Sequence, residues 1–359
     1  MSADDRYRAT LDHEEVVIRR GARSGRYTIV AVHSTARGPS LGGVRLWSYD
    51  DSRAALRDAL RLSEGMTYKA AVAGLPQGGG KGVIMARPGE RLTGELRRAA
   101  LLDFAETVNV LQGRYITAED VGITPEDLVV VNELCPHVLA LPRDHGGSGD
   151  PSPWTALGVE VSIGVACERA YGTADLAGRS VAVMGLGHVG ADLTRRLAAD
   201  GASLLVTDVD PEREAIAREL GARWVPPGEI LFADVDVLAP CALGGILDHE
   251  TVPRLTCRVI AGAANNQLAD PSVDALLAER GILWAPDFVV NAGGIVNIAA
   301  ELQPGGYDET RADREVRGIA DTLRLIFDEA EADGRTPLQA AMALAERRIA
   351  EGREPAPAA

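Results

Sequence analysis

The chain carries only two lysines, Lys69 and Lys81, against 35 arginines, and the two lie twelve residues apart in MTYKAAVAGLPQGGGKGVIM. An arginine stays protonated in any protein site, whereas a lysine gives up its proton when desolvated or crowded by another cation. Two retained lysines point to sites that need a titratable amine or a compact ammonium. A genome that drifts from Lys to Arg explains the depletion, but not why both survivors share one glycine-rich segment. Two neighbouring lysines raise each other's cost of charging, and burial adds to it. An amine that is partly neutral near pH 7 is a competent general base. The other lysine, kept as an ammonium, suits a substrate carboxylate. Gly78, Gly79 and Gly80 leave the backbone beside Lys81 bare, so a substrate or cofactor ring can approach it. The competing reading is a flexible turn with a solvated lysine.

A second chemical pattern is GLGHVG, Gly185 to Gly190, a match to G-x-G-x-x-G. Bare matches are unspecific, but this one follows the strand-like run SVAVM and opens a helix-like one. Gly185 permits a tight turn, Gly187 lets backbone approach a pyrophosphate, and Gly190 lets helix and strand pack closely. The helix start then offers unpaired N–H groups to phosphates. Asp208 ends the next strand-like run, SLLVTD, where a carboxylate accepts from both ribose hydroxyls and repels a 2′-phosphate. NAD rather than NADP is therefore the expected cofactor. Asp120 in RYITAEDVG follows a strand-like run and is either an active-site acid or a turn cap. Asn265, Asn266 and Asn291 are expected at carboxyl ends of parallel strands, where open α/β sheets bind ligands, or as local caps.

The elements that must position these groups fall into two textures. Up to about residue 140, EEVVIRR and RYTIVAVHS read as strands, 52–69 as a helix capped by Ser52, GVIM and RYIT as strands, and 94–111 and 125–133 as helices. The cluster RDHGGSGDPSP, 143–153, is read as a hinge. Beyond it comes βαβ alternation: helix 155–171, strand SVAVMG, helix 188–200, strand SLLVTD, helix 211–220, then strands VDVLAP, CRVIAGAA and GILWAPDFVVN. Apolar strands between helices imply a parallel sheet covered on both faces. Helices are expected at 311–332 and 337–352, the second with Thr336 and Gln339 as a capping box. The fold class is thus α/β, an N-terminal α/β catalytic domain (1–143, completed by 333–359) and a nucleotide-binding domain (144–332). The terminal EPAPAA reads as disordered.

Composition bounds the function. A net charge of −15 argues against a nucleic-acid or anionic-membrane partner. Cys135, Cys167, Cys241 and Cys257 are scattered without metal-ligand spacing, so no metal is expected and a reducing compartment is. A polar start, MSADDRYRAT, and the lack of a long apolar run suggest a cytoplasmic protein.

Taken together and in order, GPSLGGVR, MTYKAAVAGLPQGGGKGVI, RYITAEDVG, GLGHVG, APCALGG, AGAANNQLA and APDFVVNAGGIVN resemble the leucine, valine and phenylalanine dehydrogenases, relatives of glutamate dehydrogenase. The resemblance covers nearly the whole chain. It implies NAD-dependent, reversible oxidative deamination of an L-amino acid by a homo-oligomer, with a catalytic and a Rossmann domain across a closing cleft. It assigns Lys69, aided by backbone at Gly42 and Gly43, to the substrate carboxylate, Lys81 to activating water, and Asp120 to moving protons at the substrate nitrogen. Cofactor contacts are implied at Gly185, Leu186, Gly187, His188, Val189, Gly190, Asp208, Thr155, Ala239, Asn265 and Asn291. Leu41, Ala118, Ile295 and Ile298 match side-chain pocket positions. All four are apolar, which favours Val, Leu or Ile as substrate. Leu41 stands where glutamate enzymes carry a further lysine, although Arg45 lies nearby. Val44 and Pro76-Gln77 depart from the family pattern. The alternatives are an aromatic (Phe/Trp) or non-standard amino acid in a biosynthetic pathway, a silent NAD-binding regulator, and a hydroxy-acid dehydrogenase. The last usually needs a His base, and none of the six histidines has an evident catalytic setting.

Overall fold

The computed structural model describes residues 12–353. The readings of the MSADDRYRAT start and of the EPAPAA tail lie outside the described residues. The chain divides into two units, the first holding the residues up to Asp150, 298–307 and those from Ala345, the second holding 151–297 and 308–344.

The first unit is built on strands β1 (Glu15–Arg20), β2 (Tyr27–Ser34), β3 (Ser40–Ser48), β4 (Gly78–Ala86) and β5 (Tyr115–Glu119). They form one mixed sheet in the order β1-β2-β4-β3-β5. β1, β2 and β4 pair antiparallel, whereas β3 runs parallel to both β4 and β5. Helices α1 (Ser52–Val72), α2 (Gly94–Asn109) and α3 (Pro125–Asn132) connect them. The first helix starts one residue earlier than Ser52 suggests: Asp51 is the cap, and its carboxylate accepts from the Ala54 amide at 2.7 Å. An Asp competes well with a Ser for that place, since both can accept from the third helical N–H. α3 begins on a full capping box, Thr124 with Asp127, and Pro125 occupies the first turn.

The triple glycine is strand rather than turn, the main departure from the sequence reading in this unit. Gly78, Gly79 and Gly80 begin β4, and all three are buried. A Cβ on Gly79 would lie 2.1 Å from the Thr67 amide of α1, and one on Gly80 would lie 2.6 Å from the Tyr115 ring. The bare backbone is therefore covered by the protein's own atoms on both faces. It does not lie open to a ligand; it lets α1 sit directly on β4.

The second unit is a six-stranded, wholly parallel sheet. Its strands are β6 (Ser180–Met184), β7 (Ser203–Thr207), β8 (Arg223–Trp224), β9 (Val237–Pro240), β10 (Val259–Ile260) and β11 (Leu283–Trp284). The order is β11-β10-β9-β6-β7-β8, so strand succession reverses between β6 and β9. That is the doubly wound dinucleotide-binding arrangement, with its ligand crevice at the reversal. Helix α4 (Ser152–Tyr171) leads into β6, and α5 (His188–Ala199) joins β6 to β7. Residues 211–220 are a 3₁₀ turn followed by the short helix α6, Glu214–Glu219. The last two strands are shorter than the apolar runs CRVIAGAA and GILWAPDFVVN suggest. After Pro286 the chain turns into a single helical turn, Asp287–Val290, because apolar periodicity cannot distinguish a buried strand from a buried helix over four residues. The helix read at 311–332 is two, Glu309–Arg317 and Ile319–Asp333, parted at Gly318. The last helix, Pro337–Arg353, starts on the expected reciprocal pair: Gln339 accepts from the Thr336 amide at 3.1 Å, and its own amide donates to Thr336 Oγ1 at 3.3 Å.

All four thiols are free, and burial pushes Cys167 and Cys241 up to about 11 and Cys257 to about 12. None of the described helices is long and apolar enough to cross a membrane. Among the described residues no cluster of His, Cys, Asp and Glu could hold a metal ion.

Candidate active site

Strand alternation puts Gly79 and Lys81 of β4 on the α1 side of the first sheet, and Gly80 and Gly82 on the opposite side against Tyr115 and Phe104. Lys81 pairs with Ala31 of β2 and is almost wholly buried. Its Nζ donates to Asp120 Oδ2 at 2.8 Å. Asp120 stands one residue beyond β5, brought close to β3 by Gly43, where a Cβ would fall 2.8 Å from the Asp120 Cβ. Arg45 of β3 donates from Nε to the same Asp120 oxygen, also at 2.8 Å. Arg45 is held from behind by Asp58 of α1, whose Oδ2 accepts from Arg45 Nη1 at 2.9 Å and from the Tyr49 hydroxyl at 2.7 Å.

Charge in this cluster is set by burial against pairing. Burial drives the Lys81 amine below the usual lysine range; Asp120 opposes that, and Arg45 adds to it. The crowding cation is thus Arg45, where the sequence suggested Lys69. Burial favours the neutral form of Asp120, but Lys81 and Arg45 outweigh it and hold the carboxyl at about 2. A carboxylate bound by two cations and a desolvated amine is a proton-handling pair in which the carboxylate stays ionised and the amine is the group that titrates.

Lys69 lies in the last turn of α1, the helix seated on β4. Gly42 and Gly43 lie side by side in β3, and the Gly42 carbonyl accepts from the buried Tyr115 hydroxyl at 2.5 Å. Leu41 and Ala118 are buried on the paired strands β3 and β5. Ile298, also buried, and the half-buried Ile295 share the helix Gly293–Ala299. Arg45 enters the sequence reading only as a bar to excluding glutamate, and Asp58 and Tyr49 give no signal there. An Asp in an Arg-rich helix reads as a solvated charge, and only the packing of α1 against β3 turns it inward.

In the second unit Gly185 has φ +101, a conformation that L side chains rarely adopt, and a Cβ there would meet Ala242 beyond β9 at 2.7 Å. A Cβ on Gly190 would fall 1.9 Å from the Gly185 carbonyl, whereas Gly187 faces open space at the start of α5. His188 is exposed and Val189 half-buried in the first turn. The Leu186 side chain is fully buried, and its amide donates to Asp208 Oδ2 at 2.6 Å. Asp208 follows β7 and also accepts from the Asp210 amide at 2.9 Å. Ala239 is buried in β9, beside the reversal point. Thr155 in the first turn of α4 donates to the Pro151 carbonyl at 3.2 Å.

Asn291 ends the helical turn after Pro286, not a strand. Its amide donates to Asn265 Oδ1 at 2.7 Å and to the Ala263 carbonyl at 3.0 Å. Its Oδ1 is buried with no partner. Asn266 has φ +53, so this loop is held in a turn conformation that Asn tolerates. An open helix start at the sheet reversal, a carboxylate at the end of the second strand and an orphaned buried carbonyl fit a dinucleotide with an amide-bearing ring. The orphan would accept from an N–H or a hydroxyl of that group.

Comparison with known proteins follows the same division. The family model "Glu/Leu/Phe/Val dehydrogenase, dimerisation domain" matches residues 13–136. That of "Glutamate/Leucine/Phenylalanine/Valine dehydrogenase" matches 206–355. The NAD-binding domain of D-isomer-specific 2-hydroxyacid dehydrogenases matches 162–243. Leucine dehydrogenase of Thermoactinomyces intermedius is 43% identical over 96% of this chain and 92% of its own. L-tryptophan dehydrogenase of Nostoc punctiforme is 46% identical over 94% of each chain. Valine dehydrogenase of Streptomyces albus is 44% identical over 95% of this chain and 93% of its own. The crystal structure of the Nostoc punctiforme L-tryptophan dehydrogenase is similar with a TM-score of 0.82, covering 98% of this chain and 99% of that one at 42% identity.

Proposed function

Since the chain belongs to the glutamate/leucine/phenylalanine/valine dehydrogenase family, we propose that it catalyses the reversible NAD-dependent oxidative deamination of an apolar L-amino acid of the Val, Leu or Ile type to the 2-oxo acid and ammonia. The observation that carries the residue roles is the buried Lys81 amine on the ionised Asp120 carboxylate.

In this reading Lys69 holds the substrate carboxylate, with backbone at Gly42 and Gly43 beside it. When bound, NAD⁺ supplies the two-electron acceptor for the hydride leaving Cα, and the substrate becomes an iminium. Lys81, as the neutral amine, takes a proton from water while the water oxygen bonds to the iminium carbon. The proton that Lys81 has taken then passes by way of the Asp120 carboxylate it donates to onto the substrate nitrogen of the resulting carbinolamine. The C–N bond then breaks, ammonia leaves, and the hydroxyl proton departs as the carbonyl forms. Over the whole reaction the amino acid, water and NAD⁺ give the 2-oxo acid, ammonium, NADH and a proton. General acid–base help of this kind contributes about 10²–10⁴-fold in rate.

The nicotinamide cofactor would be held at Gly185, Gly187 and Gly190 and the start of α5, with Val189, Thr155, Ala239, Asn265 and Asn291 along the same crevice. Asp208 favours NAD over NADP: its ionised oxygens accept from ribose hydroxyls and repel a phosphate. Leu41, Ala118 and Ile298, all of the first unit, supply apolar surface to the side-chain pocket, where one methylene is worth about 1–3 kcal/mol, so several aliphatic substrates are accepted. The dimerisation-domain match supports a homo-oligomer.

A second reading, aromatic substrates, is favoured by the 46% identity to an L-tryptophan dehydrogenase. One assay separates the two: NADH formation with Val, Leu, Ile, Phe and Trp, run with NAD⁺ and NADP⁺, and with Lys81→Ala as control. Turnover on Val, Leu or Ile with NAD⁺ that is lost in the variant is the expected result. Higher kcat/KM on Trp or Phe moves the assignment to the aromatic branch. No turnover on any of them sinks the proposal for standard amino acids.

A further inference from the structure

Asp120 Oδ2 receives two cations at the same distance, Lys81 Nζ and Arg45 Nε, each at 2.8 Å. One oxygen cannot give both its full charge. Whatever part of the Asp120 charge Arg45 engages is stabilisation that the Lys81 ammonium loses. Arg45 itself is fixed by a second anion, Asp58, which is in turn held by Tyr49 at 2.7 Å and Arg61 at 3.0 Å. The groups facing Lys81 are Asp120 beyond β5, Arg45 from β3 and Asp58 from α1; β2 offers the apolar Ala31 beside it. α1 also carries Lys69, about three turns beyond Asp58.

We propose that Arg45 is a positioning residue of the proposed reaction: clamped by Asp58 and Tyr49, it shares the Asp120 carboxylate with Lys81 and so keeps the Lys81 amine a base rather than a permanently paired ammonium. This rests on the reading of Lys81 as the base. Arginine suits the place because its planar fork reaches two carboxylates at once and never loses its charge. Its loss leaves Asp120 to Lys81 alone, so the ammonium gains and the amine titrates at higher pH.

Two lysines in the chain make the proton affinity directly visible. Protein labelled with ¹³C at lysine Cε gives two resonances, assigned with Lys69→Arg, and each is titrated against pH without substrate. In Arg45→Gln the Lys81 midpoint moves to higher pH than in the wild-type protein. The acidic limb of kcat/KM for L-leucine oxidation moves with it, a loss of about tenfold per pH unit of displacement at a fixed pH on that limb. Arg45→Lys, which keeps the cation, moves the midpoint less. If Arg45→Gln does not fold, Arg45→Met, which keeps the apolar stem, takes its place. A Lys81 midpoint unchanged or lowered in the neutral variant overturns the inference. A raised midpoint with an unmoved kinetic limb removes Lys81 from the role of base and so overturns Arg45 as a positioning residue of the reaction, leaving only the shared Asp120 carboxylate.

Discussion

At the residue scale, the site is a competition for one carboxylate oxygen. Burial sets the proton affinity of Lys81 below the ordinary lysine value of about 10.4, so with Lys81 as the proposed base deamination is expected to rise with pH as the amine loses its proton and to level above that midpoint. Lys81→Ala is expected to lower kcat by about 10²–10⁴-fold and to remove this limb, which a pH series of initial rates reads. Asp208 makes a second residue-scale test. Its carboxylate accepts from the Leu186 amide and is proposed to accept from the ribose hydroxyls. Asp208→Asn should keep the Leu186 bond, since an amide oxygen still accepts, and lose the Asp210 one, yet lower the preference for NAD⁺ over NADP⁺ by removing the charge that repels a 2′-phosphate. An unchanged ratio of the two kcat/KM values would put cofactor choice elsewhere.

At the element scale, the placing of α1 on β4 decides the geometry of both lysines, and glycine makes it possible. Gly79→Ala puts a methyl 2.1 Å from the Thr67 amide, so helix and strand must part. A cost of about 1–3 kcal/mol is expected for such overpacking. It should come with a raised KM for the amino acid, because Lys69 and Lys81 ride on the two elements that move. Gly65 on the same helix is the contrast: nothing lies within 4 Å of its Cβ position, and its φ is not positive. Gly65→Ala should stabilise by about 0.5–1 kcal/mol through helix propensity alone. Thermal melts of the two variants read opposite signs if packing, rather than glycine content, is what matters.

For the whole molecule, acid is the weak side. In the first unit Asp103 is buried. Burial favours its neutral form, but bonds from the Ser24 hydroxyl at 2.6 Å, the Ser24 amide at 2.8 Å and the Arg23 amide at 3.1 Å outweigh that and hold its carboxyl below the ordinary range. A depressed folded-state value means the unfolded chain binds more protons as pH falls. The stability from Asp103, and from Asp120 at about 2, is therefore complete above the ordinary aspartate value of about 3.9 and is lost below it. Asp103→Ala leaves four donors, the Arg23 guanidinium at 3.4 Å among them, without their acceptor and should cost about 2–4 kcal/mol at neutral pH. Its unfolding curve should also change less between pH 5 and pH 3 than that of the parent protein, as read by denaturant midpoints at the two pH values.

Much of this was already written along the chain. The two lysines, the glycine fingerprint with Asp208 beyond it, the alternation of short apolar runs and helices, and the Thr336 cap are local signals, each set by a few neighbouring residues. They are legible because periodicity, capping and turn chemistry act over one or two turns of chain. What the tertiary structure alone decided are the pairings made across it. Strand register turned the triple glycine from backbone bared to a ligand into the floor of a helix–strand contact. The same register set Arg45 and Lys81 on one oxygen of Asp120, although they come from strands 36 residues apart in number. The inward turn of Asp58, the capture of the Leu186 amide by Asp208 and the orphaned Asn291 carbonyl belong to the same class. Proton affinity depends on which charges share a desolvated space, and that is a property of distances between elements, which no window of sequence contains.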